Sequence, residues 1–293
     1  QVAERLGYLA ADPAARPPSL QSTSMIGVVV PDCRNPFYAD ILHYLRDALR
    51  PHGYDLLMLE SSSEYAASKQ TIAKLTRSVD GLAFISSTMS EPDLKRVVMV
   101  RPTVMINRSI TGIPSVTSDP QNAIDAAVRH LHETGHRSIT YLAGNANTWS
   151  SETRRRMIRT AAYRYDLSVR TVRGFDITLD GGKQAFAQYL KHPTDAVFAY
   201  NDQLAIGFIS AARRSGMRIP DDVSVIGFDN IEEAAAQSVP LSTIDQHAQI
   251  LAKQAAKILL NEIAAEAPHT VNFTDSSEYI KRESVIASRR STM

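Results

Sequence analysis

The alternation of apolar runs and amphipathic segments is most regular between residues 196 and 230. The runs AVFAY and VSVIGF are apolar and of strand length. Between them, Ala205, Phe208, Ile209 and Ala212 follow the i, i+3, i+4, i+7 spacing of a helix with one buried face. A strand, a helix and a second buried strand form a βαβ unit, which belongs to a parallel sheet.

The same rhythm continues through most of the chain. Apolar runs predict further strands at 25–31, 56–60, 82–86, 103–107, 116–118, 139–143 and 172–175. Helices are predicted after Asn35-Pro36 and after Asp119-Pro120, because each pair offers an N-cap and a proline at the first helical position. A helix over about 247–265 precedes a hairpin-like tail at 270–286, which fits either of two lobes.

Length and composition indicate an α/β protein of two lobes. The 293 residues are 44% hydrophobic, enough to bury more than one core. Lys and Arg number 32 against 31 Asp and Glu, so any contact with nucleic acid has to come from a local element. Cys33 is the single cysteine and cannot form an internal disulfide.

Targeting signals do not change this picture. The chain has neither an opening signal peptide with an apolar core nor a run of 18 apolar residues, so we expect a cytosolic protein without a membrane partner. The first residues, QVAERLGYLAA, resemble the end of an element, and a Pro-, Ser- and Thr-rich linker follows at 12–24.

One short motif matches the zinc protease signature HExxH, as His132, Glu133 and His136. Zinc chemistry requires both histidines on one face of a continuing helix. Gly135 occupies a position typical of a helix end, and a new strand is predicted from Ser138. We therefore interpret the motif as a helix terminus. The sequence contains no GxSxG, GxxxxGK[ST] or GxGxxG motif, and no cofactor is expected.

Polar and aromatic side chains follow several predicted strands at the edge where α/β sheets bind ligands. They are Asn35, Phe37 and Tyr38, then Asn107 and Arg108, and then Asn201, Asp229 and Gln246. Amides, carboxylates and guanidinium groups bind vicinal hydroxyls, and aromatic faces cover a sugar ring. The alternative is that each Asn or Asp caps the next helix. Because so many of these residues follow strands, a shared binding site for a polyol is favoured over separate helix caps.

Arg154, Arg155 and Arg156 form a charge run at the start of a helix. Such runs are usually solvated, but three consecutive residues cannot share one helix face, so one of them can point inward. Trp149 lies just before them, as a packing residue or as part of a ligand site.

Seven segments together resemble the LacI/GalR transcription regulators, whose core is similar to ribose-type periplasmic sugar-binding proteins. They are VAERLGY (2–8), IGVVVPDCRNPFYADIL (26–42), VDGLAF (79–84), VMINR (104–108), AAVRHLHETGHRSITYLAG (126–144), FAYNDQLAIGF through IPDDVSVIGFDN (198–230) and LSTIDQ (241–246). The resemblance covers nearly the whole chain.

The resemblance implies two lobes of parallel sheets flanked by helices, a periplasmic-binding-protein-like fold of type I with three crossovers near Ser115, Thr243 and Ala267. Residues 1–24 then correspond to the end of a helix-turn-helix domain and its hinge. The N-terminal lobe comprises 25–115 and 244–267, and the C-terminal lobe 116–243 and 268–293. The implied ligand contacts are Asn35, Phe37, Tyr38, Asn107, Arg108, Arg156, Asn201, Asp229 and Gln246, and Asp202 is expected to cap the following helix.

Two departures from the family pattern stand out. Family members carry Gly three residues after the ligand-binding arginine, and this chain has Arg159 there. In the family hinge helix, a leucine two residues after an Ala-Arg pair enters the minor groove. Here Ala15-Arg16 is followed by Pro17-Pro18, and a proline inside a helix costs roughly 3 kcal/mol. Either Leu20 is a displaced wedge or this hinge does not fold as a helix.

These observations favour a ligand-responsive transcriptional regulator, a repressor, that binds a small polar effector between the lobes and operator DNA through an N-terminal domain. A sugar-binding protein for transport is the alternative, and an enzyme lacks the required motifs. In the implied site two arginines, Arg108 and Arg156, outnumber one carboxylate, Asp229. The excess positive charge favours a sugar acid or sugar phosphate over a neutral sugar. A homodimer is implied by the two half-sites of an operator, with the helix after Asn35 and residues 231–237 as candidate interfaces.

Overall fold

The computed structural model describes residues 22–61, 65–144, 149–264 and 271–288. Twelve strands lie in these ranges: β1 Met25–Val30, β2 Asp55–Glu60, β3 Gly81–Ile85, β4 Thr103–Ile106, β5 Ser115–Asp119, β6 Ser138–Leu142, β7 Ser168–Val172, β8 Ala196–Ala199, β9 Ser224–Ile226, β10 Thr243–Asp245, β11 Asn272–Ser276 and β12 Glu278–Ile280.

The helices are α1 Pro36–Leu49, α2 Tyr65–Arg77, α3 Glu91–Val98, α4 Gln121–Glu133, α5 Trp149–Arg164, α6 Leu179–Tyr189, α7 Asp202–Arg214, α8 Glu232–Ala235 and α9 Ala248–Ile263. A short 3₁₀ turn, Arg50–His52, follows α1. None of the helices in the described ranges combines the length and the apolar character of a transmembrane span.

The strands form two parallel sheets, one in each lobe. The N-terminal lobe has the order β11-β5-β4-β3-β1-β2, and the C-terminal lobe has the order β7-β6-β8-β9. Every pairing within these two sheets is parallel. A two-stranded antiparallel ribbon of β10 and β12 completes the arrangement. The predicted α/β class is confirmed.

Local sequence explains why α1 begins where it does. Asn35 is in extended conformation, its Oδ1 accepts a hydrogen bond from the Phe37 backbone N–H at 3.1 Å, and Pro36 occupies the first helical position. Ile41 and Leu45 are fully buried on the helix face that covers the sheet. The helix predicted over 247–265 is likewise present, as α9.

The chain passes between the lobes later than the sequence predicted. β5 pairs with β4 in the N-terminal sheet, so the first crossing follows Asp119 and not Ser115. β10 joins the C-terminal lobe through the bridge of Asp245 with Asp229, next to that of Ser242 with Ile226, which puts the second crossing at Gln246 and not Thr243.

The tail is not a hairpin. β11 lies parallel to β5 in the N-terminal sheet, whereas β12 pairs with β10, so the third crossing falls at Ser277 between them. The assignment of all of 268–293 to the C-terminal lobe is therefore corrected for β11. Ala267, where this crossing was expected, lies outside the described residues, as do residues 1–21 of the remnant and hinge predicted at 1–24.

One strand also lies at residues other than those predicted. The apolar run at 172–175 predicted β7, but the strand is Ser168–Val172. Among the described strands, β7 lies at the edge of its sheet and pairs only with β6. Polar residues such as Arg170 are therefore tolerated in it, and the apolar pattern is weak.

Candidate functional site

The predicted polar side chains converge between the lobes because each follows a parallel strand whose carboxyl end faces the cleft. Asn35, Asn107, Asn201 and Asp229 follow β1, β4, β8 and β9, and all four are buried. The lobes meet at this edge, where the Gln203 Nε2 donates to the Arg34 carbonyl at 3.2 Å.

Gln246 connects the two lobes at the second crossing. Its Nε2 donates to Asp229 Oδ1 at 2.6 Å, on the C-terminal side. Its Oε1 accepts from Asn107 Nδ2 at 3.1 Å and from Ser118 Oγ at 3.0 Å, on the N-terminal side. Gln246 is 3% exposed, so these bonds are shielded from water. Sequence reasoning found Gln246 and Asn107 but missed Ser118.

Arg154 is the arginine that faces inward. Its guanidinium carbon lies 3.5 Å from the ring centroid of Phe228 and 4.5 Å from that of Tyr200, a cation–π sandwich. Its Nη1 donates to the Tyr200 carbonyl at 2.6 Å, and its Nη2 lies 3.8 Å from Asp229 Oδ1. The two terminal nitrogens of the guanidinium group therefore hold this side chain in position.

The expectation of Arg156 at this position is corrected. Arg156 lies on the exposed face of α5, and Arg154, two residues earlier, is buried. A shift of two residues rotates a side chain by about 200° around a helix axis, so only one of these two arginines can face the cleft. Which one does so depends on the helix start at Trp149.

Asp229 has an unusual environment for a carboxylate. Burial raises its pKa to about 7, although the charge of Arg154 and the Gln246 hydrogen bond both lower it. Its backbone φ of 112° and that of Asn107 at 57° lie in the region that side chains rarely adopt. Both residues are thus held in strained conformations at the cleft.

Arg108 is half-buried at the end of β4. Its Nη1 donates to the carbonyls of Ser87 at 2.7 Å and Met89 at 2.6 Å, in the loop before α3. Burial lowers the pKa of its guanidinium, and Glu91 acts in the opposite direction. Among the described residues, the ion pair of Asp229 is made by Arg154.

The aromatic pair on α1 is buried at the start of the helix. The rings of Phe37 and Tyr38 lie 5.8 Å apart at 60°. Burial raises the pKa of the Tyr38 hydroxyl, and Tyr200 and Asp229 of the opposite lobe raise it further, whereas a hydrogen bond with Ser86 and the charge of Arg154 lower it.

The capping alternative holds for two of the amides. Asn35 caps α1, as described above, and Asn201 Oδ1 accepts from the Leu204 N–H at 3.0 Å at the start of α7. Asn201 Nδ2 donates to the Ile177 carbonyl at 3.2 Å. Both amides are therefore engaged by their own lobes in this structure.

Asp202 does not cap α7. Its carboxylate accepts from Thr243 Oγ1 at 2.6 Å and from the Ile231 N–H at 3.0 Å, which ties α7 to β10 and to the segment after β9. Burial and the neighbouring Asp229 raise the pKa of Asp202 to about 8. The prediction that Asp202 caps this helix is therefore wrong, and Asn201 is the cap.

A small cavity, the front cavity, lies beside Arg154. It is lined by Asn107, Ser118, Pro120, Trp149, Ser150, Thr153, Arg154, Phe228 and Gln246. Residues of both lobes and the second crossing therefore surround it. Trp149 is 48% exposed and forms part of this wall, which favours the ligand-site alternative for its loop position.

The HExxH motif straddles a helix end, as interpreted. α4 ends at Glu133, and Gly135 has a φ of 86°. His136 is buried, with Nδ1 3.0 Å from the Leu131 carbonyl and Nε2 2.9 Å from Ser224 Oγ. Both of its ring nitrogens are thus used in joining α4 to β9.

Two lobes with parallel sheets, three crossings and a polar cleft between them define the class of two-lobed ligand-binding proteins. A family model for the periplasmic binding protein-like domain matches residues 128–285. The chain belongs to this family and, within it, to the LacI-type transcriptional regulators.

Three relatives illustrate the similarity. The HTH-type transcriptional repressor CytR of Escherichia coli K12 is 29% identical over 274 residues, which cover 91% of this chain and 80% of the repressor. The repressor PurR of Aliivibrio fischeri is 29% identical over 298 residues, 98% of this chain and 88% of that protein. A LacI family regulator from Enterococcus faecium, crystallised with bound ribose, is 26% identical with a TM-score of 0.83, over 90% of this chain and 99% of that one.

Proposed function

We propose that this protein is a transcriptional repressor that binds a small polyhydroxylated effector between its lobes and couples that binding to operator DNA. The observation that carries the proposal is the Gln246 bridge, which joins Asp229 in one lobe to Asn107 and Ser118 in the other. A ligand that exchanges bonds with this bridge binds one arrangement of the lobes better than another, and it shifts their equilibrium.

The relatives favour a regulator over a transport protein. CytR and PurR are named as HTH-type repressors. Operator binding would use a helix-turn-helix domain, the feature after which these two repressors are named. Because operator DNA is in the cytoplasm, we place the protein there too.

We further propose that the effector is a sugar or a sugar acid, and that ligand contacts come from Asn35, Phe37, Tyr38, Asn107, Arg108, Asn201, Asp229 and Gln246, with Arg154 in the place of Arg156. The ribose in the E. faecium regulator supports a sugar. Arg154 and Asp229 balance each other, so only Arg108 contributes an excess positive charge. A neutral sugar and a singly charged sugar acid are therefore both consistent with the cleft.

Homodimerisation is part of the proposal, because two operator half-sites require two DNA-binding heads. The candidate surfaces are α1 and residues 231–237. Analytical ultracentrifugation of the complete natural protein tests this, and a monomer at micromolar concentration would contradict it.

The regulator function is tested by selecting DNA sequences from a random duplex library with the complete natural protein. We expect enrichment of a palindromic site. Recovery of no preferred sequence, with or without sugars present, would refute the proposal.

The effector class is tested by thermal unfolding with D-ribose, D-xylose, D-gluconate and ribose 5-phosphate, since a bound ligand raises the melting temperature by mass action. A rise with gluconate or ribose 5-phosphate alone supports an anionic effector, and a rise with ribose or xylose alone supports a neutral one. No rise with any of the four contradicts the sugar class while leaving DNA binding to be judged separately.

A further inference from the structure

Asp80, the residue before β3, holds the segment that leads into β1 against the N-terminal lobe. Its Oδ2 accepts hydrogen bonds from Ser22 Oγ at 2.7 Å and from the Ser24 backbone N–H at 2.9 Å. Its Oδ1 accepts from the Thr23 backbone N–H at 2.9 Å and from Thr23 Oγ1 at 3.0 Å. Four donors from three consecutive residues thus converge on one carboxylate, an arrangement that we call the Asp80 clamp.

The donors of the clamp keep the Asp80 carboxyl ionised. Burial raises its pKa, but the hydrogen bonds from Thr23, Ser22 and Ser24 together outweigh burial, so the pKa lies below its usual value. Hydrogen bonds to an ionised carboxylate are stronger than those between neutral groups. The clamp is therefore fully formed at neutral pH.

Ser24 has a backbone conformation that needs support from its surroundings. Its φ of 54° lies in the left-handed region, which residues other than glycine rarely adopt. Its N–H is bonded to Asp80, and its carbonyl accepts from the Asp55 N–H on β2 at 3.0 Å. Such strain persists only where neighbouring groups fix it, and it often marks a functional position. The clamp and β2 together fix the bend at which the chain enters β1.

This bend is attached to a rigid part of the lobe. β1 lies between β3 and β2 in the N-terminal sheet, and its Ile26 and Val28 are fully buried. The Asp80 N–H donates to the Met25 carbonyl at 2.8 Å, so the residue that holds the segment is also bonded to the first residue of β1. Everything N-terminal to Ser22 is covalently joined to the lobe through this bend. The bend therefore sets the direction in which that part of the chain leaves the lobe.

We propose that Asp80 is a positioning residue for operator binding, because the clamp fixes the direction of a DNA-binding domain on the N-terminal side of Ser22. This role rests on the proposed function. In a dimer, two such domains with fixed directions fit half-sites of one spacing. Without the clamp, residues 22–24 turn more freely. The effective concentration of the second domain at its half-site then falls, and the requirement for one spacing is relaxed.

The test measures DNA affinity of the complete natural protein and of Asp80→Ala on two duplexes. One is the operator enriched by the DNA selection, and the other has two base pairs added between the half-sites, which rotates them by about 70° relative to each other. We expect the parent to prefer the selected operator by about tenfold or more. Asp80→Ala should bind the selected operator about tenfold more weakly and should lose most of this preference.

A double variant separates the clamp from the stability of the lobe. Ser22→Ala with Thr23→Val removes two of the four donors from exposed side chains and changes no residue of the sheet. It should relax the spacing preference in the same direction, and it decides the question if Asp80→Ala does not fold. Asp55→Asn is the matched control, because Asp55 is an exposed carboxylate whose bond to Ser24 is made by its backbone N–H. This control should keep the preference of the parent.

The outcomes distinguish the clamp from the regulator function. If the parent enriches an operator and the double variant keeps the full spacing preference, the role of the clamp is overturned and the proposed function stands. An equal loss in Asp55→Asn also overturns it, since any change of charge near the bend would then have the same effect. A parent that enriches no operator refutes the proposed function, and the role of Asp80 with it.

Discussion

Gln246 Nε2 lies 2.6 Å from Asp229 Oδ1, and this bond joins the crossover segment to the end of β9 in the C-terminal lobe. The same side chain accepts from Asn107 and Ser118 in the N-terminal lobe. One amide thus links the second crossing to strand ends in both lobes. The energetic importance of Gln246 follows from this position.

Gln246→Leu should lower the free energy of unfolding by about 2 kcal/mol, because a similar volume is kept while Asp229, Asn107 and Ser118 lose a buried partner. Urea denaturation measures the change. Gln184→Leu, on the exposed side of α6, is the control and should stay within about 0.5 kcal/mol of the parent. Equal effects of the two substitutions would show that the bridge contributes nothing.

The buried carboxyl of Asp202 should make stability depend on pH. Its pKa is about 8 in the folded protein and about 3.9 in an unfolded chain. Between these values the folded state holds more protons than the unfolded state, so stability is greatest at the acid end and falls as pH rises. Asp229, with a pKa of about 7, acts in the same direction.

Asp202→Asn should therefore flatten the decline in stability between pH 5 and pH 9, as measured by urea denaturation at each pH. The matched control is Asp180→Asn, an exposed carboxylate paired with Lys183, which should keep the slope of the parent. If the stability of Asp202→Asn declines with pH as steeply as that of the parent, the raised pKa of Asp202 is not the cause of the decline.

His136→Ala should destabilise the fold by about 2 kcal/mol, because it removes two hydrogen bonds from a buried ring and leaves Ser224 without that partner. His192→Ala, at an exposed position three residues after the end of α6, should have little effect. Zinc or EDTA should leave the melting temperature of the parent unchanged. A rise with one equivalent of zinc that is lost in His132→Ala but kept in Cys33→Ser would instead support the metal interpretation of HExxH, because Cys33 lies in a separate cluster with Asp32 and Glu60.

The sequence predicted those parts of the fold that depend on a few adjacent residues. Asn35-Pro36 fixes the start of α1, and Gly135 fixes the end of α4, because capping and left-handed backbone depend on a few adjacent residues. β11 is different: its place beside β5 is a long-range pairing, and nothing within the tail distinguishes it from a hairpin with β12.

In the site too, residues placed by local sequence were predicted and residues placed by long-range contacts were not. Residues directly after strong apolar runs, such as Asn107 and Asp229, were found from the sequence. Arg154 was missed because the chain lacks the glycine that marks the ligand-binding arginine in the family. Without it, the sequence does not show which of the three arginines faces the cleft, since this depends on where α5 begins. The bonds of Asp202 were missed because its partners, Thr243 and Ile231, are distant in sequence.

The fluorescence of Trp149 tests the central claim most directly, since it is the single tryptophan of the chain and lines the front cavity with Arg154. The account predicts that D-ribose, D-xylose, D-gluconate or ribose 5-phosphate shifts its emission saturably in the parent and in Arg156→Met, and that the shift is lost in folded Arg154→Met. An identical titration curve in Arg154→Met, or no shift with any of these compounds, would contradict it.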